Sequence, residues 1–327
     1  MLFIKSDSFD PYYNLALEEY LFDELGKKEP CFMLWQNSNT IVVGKNQNTI
    51  EEVNMEYANS HGIRVARRLS GGGAVYHDMG NLNYTIVAAQ ETAEDFNFEI
   101  FVKPVIGALS VLGIEAEFNG RNDVIIGGRK VSGSAQYRKR GRILHHGCIM
   151  LDSNLHSLEE ALKVRKIKIQ SKGARSVASR VTTVNANAPV KITMQQFEDA
   201  LLQEISKKSH LTRYVLNEED RKSVMERYEK KYSTWEWNWG FFGDYEMSRE
   251  KKFSAGIVTV YMNVRDACIE DIRLFGDFFG DGDVQELEES MRGIRLDGHL
   301  TEELEKRNIS YYMNGISAEE LYELLLY

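Results

Sequence analysis

Short β-type runs dominate the first half of the chain. CFMLWQ (31–36), TIVVG (40–44), IRVAR (63–67), LNYTIVA (82–88), DVIIGGRKVSGSA (123–135) and RILHHGCIML (142–151) are separated by Asn- and Gly-rich turns. Between the first and last of these, only FEIFVKPVIGALSVLG (98–113) reads as a helix, stopped by Gly113. A parallel pair of strands needs a crossover of a dozen residues or so, usually helical. The strands far outnumber such crossovers, so strict βαβ alternation is excluded. The expected class is α+β (mixed α/β), with mixed or antiparallel sheets and helices packed on them. Other helices are expected over NLALEEYLFDEL (14–25), after a capping box formed by Thr193 and Gln196, and over 218–231.

The pattern changes after STWEWNWG (233–240). Residues from about 250 carry their own strands, FSAGIVTVYMNV and ACIEDIRLFGDFF, then a GDGD turn and three short helices. Asp283 with Glu286, and Ser317 with Glu320, read as N-caps. We therefore expect a large domain over 1–245 and a small α+β domain over 250–327. With 43% hydrophobic residues, the chain has ample material for a core, yet no run approaches the ~18 apolar residues of a membrane span. The first residues do not read as a secretory signal, and three cysteines without a CxxC pair do not read as a disulfide framework or zinc site. Reduced thiols in a cytoplasmic protein are the expectation.

Chemistry concentrates in three stretches. RRLSGGGAVYHD (67–78) puts three consecutive glycines after two arginines and a serine. The run is neither a Walker loop nor GxGxxG. Its general property is that a Gly-rich turn exposes successive N–H groups and lets a charged ligand approach the main chain. Arg67 and Arg68 would complement an anion there, with Ser70 adding a hydroxyl; the alternative is a tight turn with arginines on its rim. His77 and Asp78 either support that turn or contact ligand. In the second stretch, 120–147, strand alternation puts Lys130 with Ser132 on one face and Arg129 with Val131 on the other. Small neighbours (Gly128, Ser132, Gly133, Ser134) leave room for a ligand beside the Lys130 ammonium. Adjacent His145 and His146 face opposite sides of a strand and cannot share a metal. Cys148 as a nucleophile would need an activating base and exposure, and a buried thiol is the default. The third stretch, KIKIQSKGARSVASRVTTV (166–184), is basic enough to close over an anion, with Lys172 and Arg175 as candidates; a solvated connection is the alternative. From Arg121 to Arg180 there are 14 Lys/Arg against 4 Asp/Glu in a chain of net charge −9, which points to an anionic ligand or acidic partner for that segment.

RRLSGGGAVYHDMGNLNYT, GRNDVIIGGRKVSGSAQ, HHGCIML, SKGARSVASRVTTV and STWEWNWG together resemble, in order and spacing, the signatures of lipoate–protein ligases. The family is similar to biotin ligases in fold, and bacterial members often carry a small C-terminal accessory domain. The resemblance implies ATP-dependent ligation of lipoate, through lipoyl-AMP, to a lysine of lipoyl domains in 2-oxoacid dehydrogenase E2 subunits or the glycine cleavage H protein. Carried over by motif, Arg68, Gly73, Ala74, Val75, Tyr76, Asn122, Asp123, Lys172 and Arg175 would contact ATP or the adenylate. Asp123 would act in part through Mg²⁺. Ser70, Gly71, Gly72, His77 and His146 would border lipoate, and Lys130 would touch both the acyl carboxyl and the phosphate. A cytoplasmic monomer with neither nucleic-acid nor membrane partners is implied. Two rivals remain: an ATP-independent lipoyl or octanoyl transferase using a cysteine thioester, and a non-catalytic acyl- or nucleotide-binding regulator.

Overall fold

The computed structural model describes residues 1–89, 98–120, 122–163, 180–240, 243–297 and 299–326. Its large sheet has eight strands. They are β1 (Leu2–Lys5), β2 (Cys31–Trp35), β6 (Asn81–Ala89), β7 (Glu117–Phe118), β8 (Asp123–Ile126), β9 (Arg129–Lys139), β10 (Arg142–Met150) and β11 (Thr212–Arg213). Their order is β11-β1-β2-β6-β10-β9-β8-β7. Pairing is parallel at β11-β1-β2 and antiparallel elsewhere. A second sheet places β3 (Thr40–Val43) between a parallel β4 (Arg64–Arg67) and an antiparallel β5 (Val75–His77). The mixed sheets expected from the strand count are therefore present.

The expected run 123–135 is two strands. Gly127 (φ 54°) and Gly128 (φ 75°) supply the left-handed conformations of a two-residue hairpin turn between β8 and β9.

A bulge then changes which way Lys130 points. Val124 pairs with Ser132 but Ile125 pairs with Lys130, so β9 holds one residue too many at Val131. Val131 packs in the core with Val124, and strict alternation is broken. Lys130 emerges on the face of Gly133, not on that of Ser132 as alternation predicts. Bulges commonly re-aim a side chain in this way.

Both faces of the large sheet are covered. On one, Val102, Val105 and Leu109 of the helix Glu99–Val111 and Phe197 and Leu201 of the helix Met194–Ser206 pack on Phe32, Tyr84 and Val131. The Thr193/Gln196 capping box starts the second helix as expected. On the other face, Leu15, Leu21 and Phe22 of the helix Pro11–Asp23 pack on Met33 and Leu144.

In the tail, β12 (Met247–Lys252), β13 (Ile257–Arg265) and β14 (Cys268–Gly276) form an antiparallel meander. Helices Val284–Met291, Leu300–Glu305 and Ala318–Leu326 cover it, and their apolar cluster draws only on residues from Met247 onward. The tail meets the body through several described contacts, among them the Tyr261 hydroxyl donating to the Glu51 carboxylate and an ion pair of Lys45 with Asp283. Arg138 Nε and Nη2 donate to the two oxygens of Asp281 at 2.8 and 2.7 Å, Gly276 N donates to Asn46 O at 2.8 Å, and the Phe279 ring packs tilted against Phe98.

Candidate active site

The register of the large sheet aligns one row of residues across five strands: Trp35, Asn83, Cys148, Gly133 and Asp123. Two cavities border this row. The narrower, about 630 Å³, takes in Trp35, Asn83, His77, Asn122 and His146. The wider, about 1520 Å³, takes in Tyr76, Asn119, Asp123 and Arg180. Gly73, Ala74, Val75, Lys130 and Cys148 line both. Lys130 therefore stands at the junction. Its Nζ is 2.7 Å from Asp123 Oδ1, and a Cβ added to Gly133 would lie 2.6 Å from Nζ. Glycine at 133 is what lets the ammonium lie over the sheet.

The three glycines differ in what a side chain would meet. A Cβ on Gly71 would fall 2.3 Å from the Phe278 carbonyl of the tail. Gly72 has φ +87° and sits beside the Arg68 guanidinium and the Phe279 ring. At Gly73 a Cβ would meet nothing within 4 Å. Only the third glycine opens directly onto free space, and it is the one that lines both cavities.

The arginines hold this turn in place. Arg68 Nε donates to Ser70 Oγ at 3.0 Å, Nη1 to Val42 O at 3.2 Å, and Nη2 to Gly71 O and Gly73 O at 2.7 and 2.8 Å. Arg67, expected to complement an anion, has its donors taken up by the protein. Its side chain donates to Trp237 O, Gly44 O, Lys45 O, Gln47 O, Thr49 Oγ1 and Asn238 O, which tie the WEWNW helix to the preceding turn. Burial pushes both guanidinium groups down to about 10, so both stay charged near neutrality.

Glu18, which no motif singled out, completes the turn's support. His146 Nδ1 lies 2.8 Å from Glu18 Oε1, and His146 Nε2 lies 2.6 Å from Ser70 Oγ. Thr85 Oγ1 donates to the same Glu18 oxygen at 2.6 Å and accepts from Trp35 Nε1 at 3.0 Å. Serine, histidine and glutamate in this order resemble a hydrolase triad, but Ser70 is 1% exposed and its oxygen already accepts from Arg68. The chain is a support that runs from the first helix to the carbonyls of the glycine turn. Its sequence signal was only a glutamate on the buried side of helix 14–25.

Other candidates fall as follows. Asn122 joins the wall, its Nδ2 donating to Ser134 O at 2.8 Å. Asp78 is structural, accepting from Gly80 N and Asn154 N. His145 is buried on the opposite face against Phe101, as strand alternation requires. Burial raises the Cys148 thiol above its ordinary pKa, although Lys130 opposes this. Lys172 and Arg175 lie outside the described residues. Past them, Thr182 N donates to Lys130 O at 2.8 Å, and Arg180 and Val181 border the wider cavity.

Comparison with known proteins gives a consistent result. The lipoyl protein ligase A/B catalytic domain matches residues 10–206, and the bacterial lipoate protein ligase C-terminus matches residues 243–325. The chain is 40% identical to the lipoate-protein ligase LplJ of Bacillus subtilis over 99% of its own length and 100% of that protein. In fold it is similar to Plasmodium falciparum LipL1, solved in complex with lipoate, with a TM-score of 0.80 at 24% identity over 100% of this chain and 99% of that one. It also resembles a lipoate-protein ligase A bound with ATP, with a TM-score of 0.64 at 27% identity over 74% of this chain and 98% of that one.

Proposed function

This chain belongs to the lipoate–protein ligase family, and we propose that it activates lipoate with ATP and passes the lipoyl group to a lysine of a lipoyl domain. In the first step the lipoate carboxylate attacks the α-phosphorus of ATP and pyrophosphate leaves. In the second the acceptor's amine attacks the carbonyl carbon of lipoyl-AMP, an amide forms, and AMP leaves with the bonding pair.

The observation that carries this reading is Lys130 at the junction of two cavities, one narrow with apolar side chains such as Trp35 and one wide that takes in the charged groups Asp123, Lys163 and Arg180. The first step brings an anion to an anion. A fixed ammonium beside both screens the encounter and stabilises the charge that moves to the leaving groups, which in a water-poor site is worth about 3–4 kcal/mol. Lys130 would contact the carboxyl and the α-phosphate. Gly73, Ala74, Val75 and Tyr76 would shape the nucleotide side, with Arg68 and Asn122 reaching it from the wall of the narrow cavity, while Gly72, His77 and His146 would border lipoate and Ser70 and Gly71, which line neither cavity, would hold the turn that does. Lys172 and Arg175 would cover the adenylate.

Among the described residues no three His, Cys, Asp or Glu side chains gather as a metal cluster. Two carboxylates, Glu52 and Asp123, border the wide cavity, Asp123 beside Lys130, and this fits the way Mg²⁺ binds through one or two carboxylates plus substrate phosphates. Bound there, Mg²⁺ would neutralise phosphate charge. No described helix is long and apolar enough to cross a membrane. We place the enzyme in the cytoplasm as a monomer, with residues 1–245 as the catalytic domain and 250–327 as the accessory one. The acceptors are E2 subunits and the glycine cleavage H protein.

The test is lipoate-dependent pyrophosphate release from ATP, followed by mass gain of a purified lipoyl domain. Acyl transfer that needs no ATP but needs Cys148 would establish the transferase instead. Binding without turnover would establish a regulator.

A further inference from the structure

The narrow cavity contains a polar group whose orientation can be worked out. Asn14 Nδ2 donates to the main-chain carbonyls of Ser8 and Gln36 at 2.9 and 2.8 Å, which settles which end of that amide is nitrogen. Its oxygen correspondingly accepts from Ser6 Oγ at 2.6 Å. Asn37 Oδ1 lies 3.0 Å from the same Asn14 Nδ2 and can only share one of its two protons, but the reverse orientation would set two NH2 groups against each other, so Asn37 turns its own nitrogen to His77 Nδ1, 3.2 Å away. His77 Nδ1 is therefore an acceptor. In a neutral ring the proton then sits on Nε2. The ring is neutral: burial, then Arg68 and His146, push its pKa down to about 3.

That Nε2–H is buried and has no partner among the described residues, and His77 lines the narrow cavity. The nitrogen of Asn83 is in the same condition in the same cavity. Both groups are 4% exposed or less. They cluster at one end. His77 packs edge-on against Trp35, and Asn83 is the cross-strand partner of Trp35. Asn83 is two strands away from Gly133, over which Lys130 lies, which is roughly 10 Å at ordinary strand spacing. The cavity thus offers a carboxyl-binding cation at one end, an apolar middle, and two unfilled hydrogen-bonding groups at the other.

From this geometry, and resting on the proposed ligase reading, we infer that His77 and Asn83 select the acyl chain by its far end. They favour one that carries sulfur acceptors there, such as the dithiolane of lipoate, over a plain alkyl chain of equal length. An alkyl terminus leaves the N–H unpaired on binding, and sites built to hydrogen-bond a group discriminate against analogues that lack it. Sulfur is a weak acceptor, so the preference is moderate.

The experiment compares lipoate, 6-thiaoctanoate and octanoate, in the wild-type protein and in His77→Phe, which keeps the ring against Trp35 and removes the N–H. Two readouts are taken: kcat/KM for acid-dependent pyrophosphate release, and affinity of each acid by calorimetry. The expected wild-type order is lipoate, then 6-thiaoctanoate, then octanoate, with about ten-fold between first and last. In His77→Phe the gap closes to about two-fold, chiefly because octanoate improves. Octanoate equal to lipoate in the wild type overturns the inference, as does an unchanged gap in a folded variant. If the variant does not fold, the wild-type series decides alone. If no acid releases pyrophosphate but the order of affinities holds, the ligase reading fails and the selectivity stands.

Discussion

The glycine turn and the Lys130 hairpin line the same two cavities and are held in opposite ways. The turn is clamped: Arg68 bonds four acceptors around it, Ser70 and His146 extend that support to Glu18, and Phe278 and Phe279 of the tail press on Gly71 and Gly72. Lys130 is tethered by one ion pair, its side chain is 34% exposed, and Gly133 beneath it removes any obstacle. A surface that shapes a ligand gains from rigidity, because the ordering cost is met in folding. A cation that must follow charge from a carboxylate to a phosphate gains from a long, loosely held stem.

The largest expected effect breaks the loose side. Lys130→Ala should cut adenylate formation by about 10²-fold or more while leaving Tm near wild type, since only a partly exposed ion pair is lost. Near-normal pyrophosphate release from a folded variant would show that the charge is supplied elsewhere.

On the clamped side the order reverses, with stability lost along with function. Gly72→Val puts a β-branched residue at φ +87° against Phe279, and should destabilise by about 1–3 kcal/mol. Gly73→Ala sharpens the contrast. Its Cβ enters open space, so Tm should hold while ATP affinity, read by calorimetry, falls. Equal loss of stability in the two variants would mean that the turn does not divide into a structural and a ligand-facing glycine.

The strands that carry the two regions were legible from composition and spacing; the way each is held was not. The strand runs at 31–36, 40–44, 63–67 and 142–151 fall on β2, β3, β4 and β10, because each is a short apolar run bounded by turn residues. Lys130 is set apart in the sequence by the glycines and serines that surround it. Its facing did not follow from sequence, because a bulge is set by pairing with β8 and leaves no local mark on β9. Arg67 and Arg68 are adjacent in a basic motif, and nothing in the sequence says that their donors would be taken by backbone carbonyls. Glu18 was hidden for a related reason: its partners, His146 and Thr85, are more than 60 residues away.

A smaller effect tests how far the clamp extends. Glu18→Gln should keep the fold but loosen the support that reaches Ser70 through His146, lowering kcat for pyrophosphate release by about ten-fold with less change in the KM for lipoate. Ser70→Ala should do the same, and the double variant should be little worse than either alone. Additive losses would mean that the two residues act separately.

The smallest effect concerns the tail, which touches the clamped side and not, among the described contacts, Lys130. Arg138 is largely buried, and Asp281 receives two of its N–H groups. Asp281→Asn keeps the size and one acceptor but removes the charge, which should weaken the body–tail contact by about 1–2 kcal/mol. If Phe278 and Phe279 help to set the glycine turn, that weakening reaches the step in which the turn must hold ATP. The variant should then lose a few-fold in pyrophosphate release and nothing in transfer from supplied lipoyl-AMP to a lipoyl domain. The second half-reaction has to admit a whole protein domain, and a looser tail does not hinder its approach. The two half-reactions measured on one preparation decide the matter. Equal losses would mean that the tail supports the body as a whole, and a loss confined to transfer would move its role to the acceptor.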